Sequence, residues 1–245
     1  MENEIKRESK QNTISIPVAI IIAGVLIAGA VLISTKGVNK PSVATSPQQQ
    51  TATQPSVSTV DIAKVKIAGQ PFIGNPNAPV AIAYWFDYQC PFCKRFETDV
   101  MPQLITDYVK TGKVKIVYKD FQFLGQDSQT AGIVAHAVWE VAPDKFYQWH
   151  KAMYDKQDNE NSGWGNKNDV LALTKTILGN DTDKVAQLIV SKQVEYQKVI
   201  DEDKVEGGSF GVSGTPSVIV GKQMIVGAQP YSAVKQLIEL TLQGK

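Results

Sequence analysis

Cys90 and Cys93 are the two cysteines of this 245-residue chain, and they stand three positions apart in Cys90-Pro91-Phe92-Cys93. Such a pair permits one intramolecular disulfide. A cross-link stabilises chiefly by closing a long loop of the unfolded chain, and a CxxC loop is close to the shortest that can form. The spacing therefore suits a dithiol that opens and closes better than it suits a staple. A structural disulfide and half of a zinc site are the competing readings. Zinc needs a second Cys or His pair, and His136 and His150 are too far apart in sequence for the usual binding pair, so no metal is expected.

The flanking residues indicate how the pair is held. An apolar run rich in aromatics, Ala81-Ile82-Ala83-Tyr84-Trp85-Phe86, leads up to the cysteines, and Phe92, Phe96, Val100 and Leu104 recur after them at helical spacing. The cysteines thus lie where a strand gives way to a helix. With Pro91 at the first helical position, Cys90 becomes the N-cap, and its sulfur can accept from the amides of Phe92 and Cys93. Those amides and the positive end of the helix favour a thiolate. A lowered pKa makes Cys90 a good leaving group and raises the reduction potential of the pair. Cys93, one turn further in, is expected to be the more buried partner.

Charge sets the class of partner. With 25 basic and 24 acidic residues the chain carries a net charge of +1, which gives no field to attract nucleic acid. Residues 1–13 are polar and carry Lys6, Arg7 and Lys10, and residues 14–33 contain no charge at all. About 20 apolar residues make a helix of about 30 Å, the thickness of a bilayer core. A transmembrane anchor over 14–34 is expected, with residues 1–13 cytoplasmic by the positive-inside bias. A cleaved signal peptide ending near Ala28-Gly29-Ala30 is the alternative. Either one exports the rest of the chain. Residues 35–60 are rich in Ser, Thr, Gln and Pro and read as a flexible linker.

The exported domain is expected over 61–245. Strands are expected near 61–67, 80–86 and 113–118, the second buried on both faces. A helix from Cys90 to about Lys110 should bend at Pro102. From about 126 to 208 the pattern is helical throughout, with segments at 128–141, 145–155, 169–177 and 182–205. Two short strands, 217–220 and 223–226, then flank Gly221-Lys222 as a hairpin, and Pro230 opens a last helix. Trp139, Trp149 and Tyr147 fit the core of the helical block, and neither His136 nor His150 is expected to be catalytic. A helical block between the two halves of a sheet marks an insertion into an α/β domain.

The segment from Phe86 to Phe96, with Asp87-Tyr88-Gln89 before the CxxC pair, resembles the active-site segment of DsbA-like thiol:disulfide oxidoreductases. Gly211-Val212-Ser213-Gly214-Thr215-Pro216-Ser217 resembles their cis-proline loop. The resemblance implies a thioredoxin-like fold with an inserted all-helical subdomain, here preceded by a single transmembrane helix and a flexible linker. It implies that Cys90 and Cys93 are catalytic, that Pro91 and Phe92 support them, and that Pro216 is cis beside them. Thr215 then pairs through its backbone with the substrate peptide. Two positions depart from the family pattern. Many relatives carry a buried Glu six residues before the first cysteine, where this chain has Tyr84; Asp87 is offered as its substitute, a loop-capping role as the alternative. The strongly oxidising relatives carry His where this chain has Phe92, so the Cys90 pKa should lie below that of a free thiol but be less depressed than theirs.

The expected activity is disulfide formation in exported proteins by a membrane-tethered, extracytoplasmic enzyme. The sulfur pair itself carries the electrons, with no cofactor, and the resemblance implies reoxidation by a DsbB- or VKOR-type membrane partner. A reductase or isomerase on the same scaffold, and a tethered peptide-binding, chaperone-like module with a structural disulfide, are the rival readings.

Overall fold

The structure, a computed structural model, describes residues 57–244. The anchor or signal expected over 14–34 and the segment 1–13 lie outside the described residues, as does most of the linker. Among the described residues no helix is long and apolar enough to cross a membrane.

Six strands form one sheet among the described residues: β1 (Val57–Thr59), β2 (Phe72–Gly74), β3 (Val80–Phe86), β4 (Val114–Asp120), β5 (Ser217–Val220) and β6 (Gln223–Val226). Their spatial order is β1-β6-β5-β3-β4-β2. β3 and β4 run parallel, and the other neighbouring pairs are antiparallel. β3 is central, and its period-2 alternation feeds two cores. Ile82, Tyr84 and Phe86 enter one with Cys93 and Phe96, and Ala83 and Trp85 enter the other with Val65, Ile219 and Met224. A strand buried on both faces explains the unbroken apolar run.

The helices are α1 (Pro91–Asp99), α2 (Met101–Leu104), α3 (Gln126–Val141), α4 (Phe146–Lys156), α5 (Lys167–Leu178), α6 (Thr182–Ser191), α7 (Gln193–Ser209) and α8 (Tyr231–Leu242). Helices α3 to α7 fall between β4 and β5 and form the insertion. The helix expected from Cys90 to Lys110 is broken rather than bent. It interrupts at Val100 (φ −110°), because Pro102 has no N–H for the preceding turn, and ends in a π-helical turn, Ile105–Val109.

Three other expectations shift. Residues 61–67 hold a 3₁₀ turn, Ile62–Lys64, capped by Asp61, and the edge strand lies earlier, at β1. The turn-rich stretch before Pro79 contains β2, three residues paired with β4. The helix expected over 182–205 is two helices, interrupted at Lys192 (φ −116°, ψ 16°), and both pack on α3. The hairpin falls where expected, with Gly221 supplying the positive φ of 58° that its turn requires. Trp149 is buried with its indole N–H on Thr174 Oγ1 at 2.9 Å, and Trp139 packs edge-on against Phe72 and Phe146.

Candidate active site

The sheet register brings the two motifs together. β5 runs antiparallel to β3 with Ser217 opposite Trp85, so the residues entering β5 lie beside the chain leaving β3. Thr215 and Pro216, joined by a cis peptide bond, therefore face Cys90 across 125 positions of sequence. The Cys90 thiol donates to the Thr215 carbonyl at 3.4 Å.

Cys90 has the extended backbone of an N-cap (φ −76°, ψ 118°), and Pro91 is the first helical residue, as the sequence predicts. The Lys94 amide donates to the Cys90 carbonyl at 3.1 Å, the first bond of α1. The Cys90 thiol directs its proton to Thr215, and its sulfur lies near the amides of Phe92 and Cys93 without a cap hydrogen bond of full geometry. Both cysteines are thiols, Cys90 5% exposed and Cys93 fully buried.

That asymmetry separates their acidities. A hydrogen bond from the Cys93 side chain brings the Cys90 pKa from 9.0 to about 6 against the opposing effect of burial, helped by Thr215 and by the amides of Cys93 and Phe92. Burial pushes Cys93 well above the usual thiol range, and the neighbouring Cys90 adds to the rise. Cys90 is thus built to be a thiolate at neutral pH and Cys93 a thiol. The value for Cys90 lies below a free thiol's and above the about 3.5 of strongly oxidising DsbA, in line with a CxxC pair that holds Phe92 rather than His.

The other candidates occupy different places. Asp87 is fully buried, and its carboxylate accepts from the amides of Gln89 (2.8 Å), Phe123 (2.8 Å) and Leu124 (3.1 Å). Burial raises its pKa against those bonds. Its carboxylate is fully engaged in fixing two loops to each other. Tyr84 is fully buried, with its ring 5.1 Å from that of Phe96. Its hydroxyl lies beside the Cys93 sulfur without a hydrogen-bond partner of good geometry. Phe92 is 54% exposed beside the sulfur pair, with the Arg95 guanidinium 5.2 Å from its ring centre, and Phe123, tied by its amide to Asp87, is 44% exposed.

Four residues around the site escape a reading of the motifs. Gln157, just past α4, donates to the carbonyls of Tyr88 (2.7 Å) and Cys90 (3.1 Å), and its own carbonyl accepts from Lys94. Tyr154 donates to the Asp87 carbonyl. The helical insertion therefore clamps the loop that carries the cysteine. Glu97 and His150, both buried, pair with each other beneath α1. For Glu97 a signal was present: it stands four residues after Cys93, on the same helix face. Among the described residues no group of three or more His, Cys, Asp or Glu side chains could hold a metal ion.

Residues 66–240 match the thioredoxin family model. Among curated proteins, disulfide bond formation protein D of Bacillus subtilis is 28% identical over 73% of this chain and 80% of its own length. The probable disulfide bond formation protein D of Bacillus cereus is 26% identical over 71% and 79%. Among solved structures, oxidised BdbD from Bacillus subtilis superposes with a TM-score of 0.68 at 26% identity, covering 76% of this chain and 98% of that one. The thiol-disulfide exchange protein alpha-DsbA2 of Wolbachia pipientis gives 0.61 at 28% identity, covering 69% and 86%. The sheet order, the insertion and the paired motifs agree with this likeness: the chain belongs to the thioredoxin family and is a DsbA-like thiol:disulfide oxidoreductase.

Proposed function

We propose that this chain forms disulfides in exported proteins through the Cys90–Cys93 couple, from a position tethered to the outer face of the membrane. The observation that carries the direction of the reaction is the split in acidity between a Cys90 drawn to about 6 and a buried Cys93 pushed up. A stable Cys90 thiolate favours the reduced enzyme and so makes its disulfide an oxidant. The names of the curated relatives support the same direction over that of a reductase or isomerase.

The cycle follows from the geometry. A substrate thiolate attacks Cys90 Sγ of the oxidised pair, the Cys90–Cys93 bond breaks, and its electron pair leaves on Cys93. A second substrate thiolate then attacks the substrate sulfur of the mixed disulfide and expels Cys90 as its stabilised thiolate. Two electrons have passed from the substrate dithiol to the sulfur pair. Thr215 offers its backbone to the substrate as an added strand, Pro216 sits beside it, and exposed Phe92 and Phe123 give apolar contact with an unfolded chain. Pro91 fixes the start of α1, and Asp87 fixes the loop before it.

Reoxidation falls to a membrane protein of the DsbB or VKOR type, with no cofactor bound to this chain. Residues 14–33 serve as the anchor, since the apolar run continues past Ala30, and residues 35–56 tether the domain. Purified full-length protein in detergent, given a reduced and unfolded disulfide protein, should consume its thiols in step with loss of the Cys90–Cys93 disulfide. Cys90→Ser should abolish the exchange. Retained thiol consumption in that variant would refute the assignment. Carbonate-washed membranes should keep the full-length chain; a shorter, released form would indicate cleavage near Ala28.

A further inference from the structure

Lys94 and Arg95 stand at the fourth and fifth positions of α1, whose first turn carries no acidic residue. The positive end of a helix disfavours cations, so neither charge serves α1 itself. Packing accounts for Lys94: its ammonium donates to the Gln157 carbonyl at 2.6 Å, where the insertion clamps the active-site loop. Arg95 is exposed and forms no ion pair among the described residues. Asp99 stands one turn further on, at a spacing that allows a pair. The guanidinium turns the other way.

Helical side chains lean toward the helix N-terminus. The Arg95 guanidinium accordingly lies 5.2 Å from the ring centre of Phe92, three residues back and between the two cysteines. From there Nη2 donates to the Ala228 carbonyl at 3.4 Å. Gly227, the residue before, donates its amide to the Pro216 carbonyl at 2.7 Å. Arg95 thus spans two walls of the mouth of the site, the exposed Phe92 ring and the loop bonded to the cis proline. One long hydrogen bond leaves most of its N–H fork open. Stacking on an aromatic ring orients a guanidinium and keeps that edge available to a carboxylate.

We propose that Arg95 is a specificity residue, which receives an acidic side chain standing next to the reacting cysteine of the exported chain. The inference rests on the exchange reactions above. A chain laid along Thr215 brings its cysteine to Cys90, and a neighbouring side chain then falls over Phe92 or the Gly227–Ala228 loop, where the guanidinium lies. A carboxylate there accepts two parallel N–H bonds. Cys90 owes its acidity to Cys93, Thr215 and the amides of α1, so the Arg95 charge is left to act on the incoming chain. Charge at the rim of a site acts mainly on the rate of productive encounter. The preference therefore belongs to the second-order rate of exchange.

The test uses three unstructured dithiol peptides that differ only in the residues flanking their cysteines, which are Glu, Gln or Lys. Each is mixed in excess with oxidised full-length protein in detergent, and formation of the peptide disulfide is read by mass spectrometry after acid quenching. Dividing each rate by that of the same peptide with neutral 2-hydroxyethyl disulfide removes differences in thiol acidity. The wild type should favour Glu over Gln about threefold, the scale of one exposed ion pair. Lys should come last, and high salt should level the three. Arg95→Gln should bring the rates together, and Arg95→Glu should put Lys first. Lys198→Glu, an equal change of charge on exposed α7, should keep the wild-type ranking. A wild type without a preference, a ranking that Arg95→Glu leaves unchanged, or one that Lys198→Glu inverts equally would overturn the proposal. A wild type that oxidises none of the peptides would instead overturn the exchange reading, and this proposal with it.

Discussion

The molecule buries two histidine–carboxylate pairs, and they differ in completeness. His136 Nε2 meets Asp120 Oδ2 at 2.7 Å, and Asp120 Oδ1 accepts from Gln122 at 2.9 Å. Around them Lys119 bonds Asp203 and pairs with Glu206 at 2.9 Å, Asp203 Oδ2 accepts the Asp120 amide at 3.0 Å, and Gln70 donates to Asp203 Oδ1 at 2.8 Å. His150 and Glu97 have one bond between them, an orphaned oxygen, and a thiol one turn away. The Asp120 carboxylate thus has both oxygens bonded, whereas the Glu97 carboxylate keeps one oxygen without a partner among the described residues. The first pair lies in a network that fastens α3 and α7 to β4; the second joins α4 to α1.

Variants in the network around Asp120 and Asp203 should therefore alter stability and leave thiol exchange alone. Lys119→Met strands Asp203 and Glu206 in the interior and should cost about 3–5 kcal/mol in denaturant unfolding. The Cys90 titration of the folded fraction should not move. A Cys90 titration that shifts with Lys119→Met would join the two regions and break the distinction.

Acid strengthens the same network. Burial pushes Asp203 up to about 7 against the pull of Lys119. Burial opposes charge on His136, but Asp120 outweighs it and raises the pKa. Both groups bind protons more tightly folded than unfolded. Their contribution is complete below the unfolded values and is lost as pH rises, for Asp203 between about 4 and 7 and for His136 above about 6.5. Melting of the oxidised protein should drop across pH 5 to 8, and Asp203→Asn should flatten the slope. A slope unchanged by that variant would locate the effect elsewhere, Asp87 being the other buried acid with a raised pKa.

The smallest change acts on the reactive sulfur alone. Phe92→His places a cation beside the Cys90 thiolate and should lower its pKa further, with the reduction potential rising by about 30 mV for each tenfold gain. Ultraviolet thiolate titration and a glutathione equilibrium read the two effects together. A potential that moves without the pKa would mean that Cys90 acidity does not set it.

How much of this is legible in the sequence follows from how local each signal is. The Cys90 N-cap, the doubly buried β3 and the Gly221-Lys222 hairpin each rest on a few adjacent residues. The break at Lys192 carries no Gly or Pro, so a continuous apolar stripe reads as one helix. Glu97 lies among Lys94, Arg95 and Asp99, and its charge reads as part of a solvated face until packing by α4 and β3 buries it. Lys119 and Asp203 are 84 positions apart, and nothing in either neighbourhood announces the other. Gly207 is explained only in the fold: a Cβ there would lie 2.6 Å from the Trp85 indole nitrogen.

The most direct test of the central claim is the reduction potential of the Cys90–Cys93 pair, from equilibrium titration of the full chain against reduced and oxidised glutathione. A Cys90 thiolate held at about 6 should place the couple well above thioredoxin's value of about −270 mV, toward the about −120 mV of DsbA. A potential at or below the thioredoxin value would contradict it, making the pair a reductant on the same scaffold.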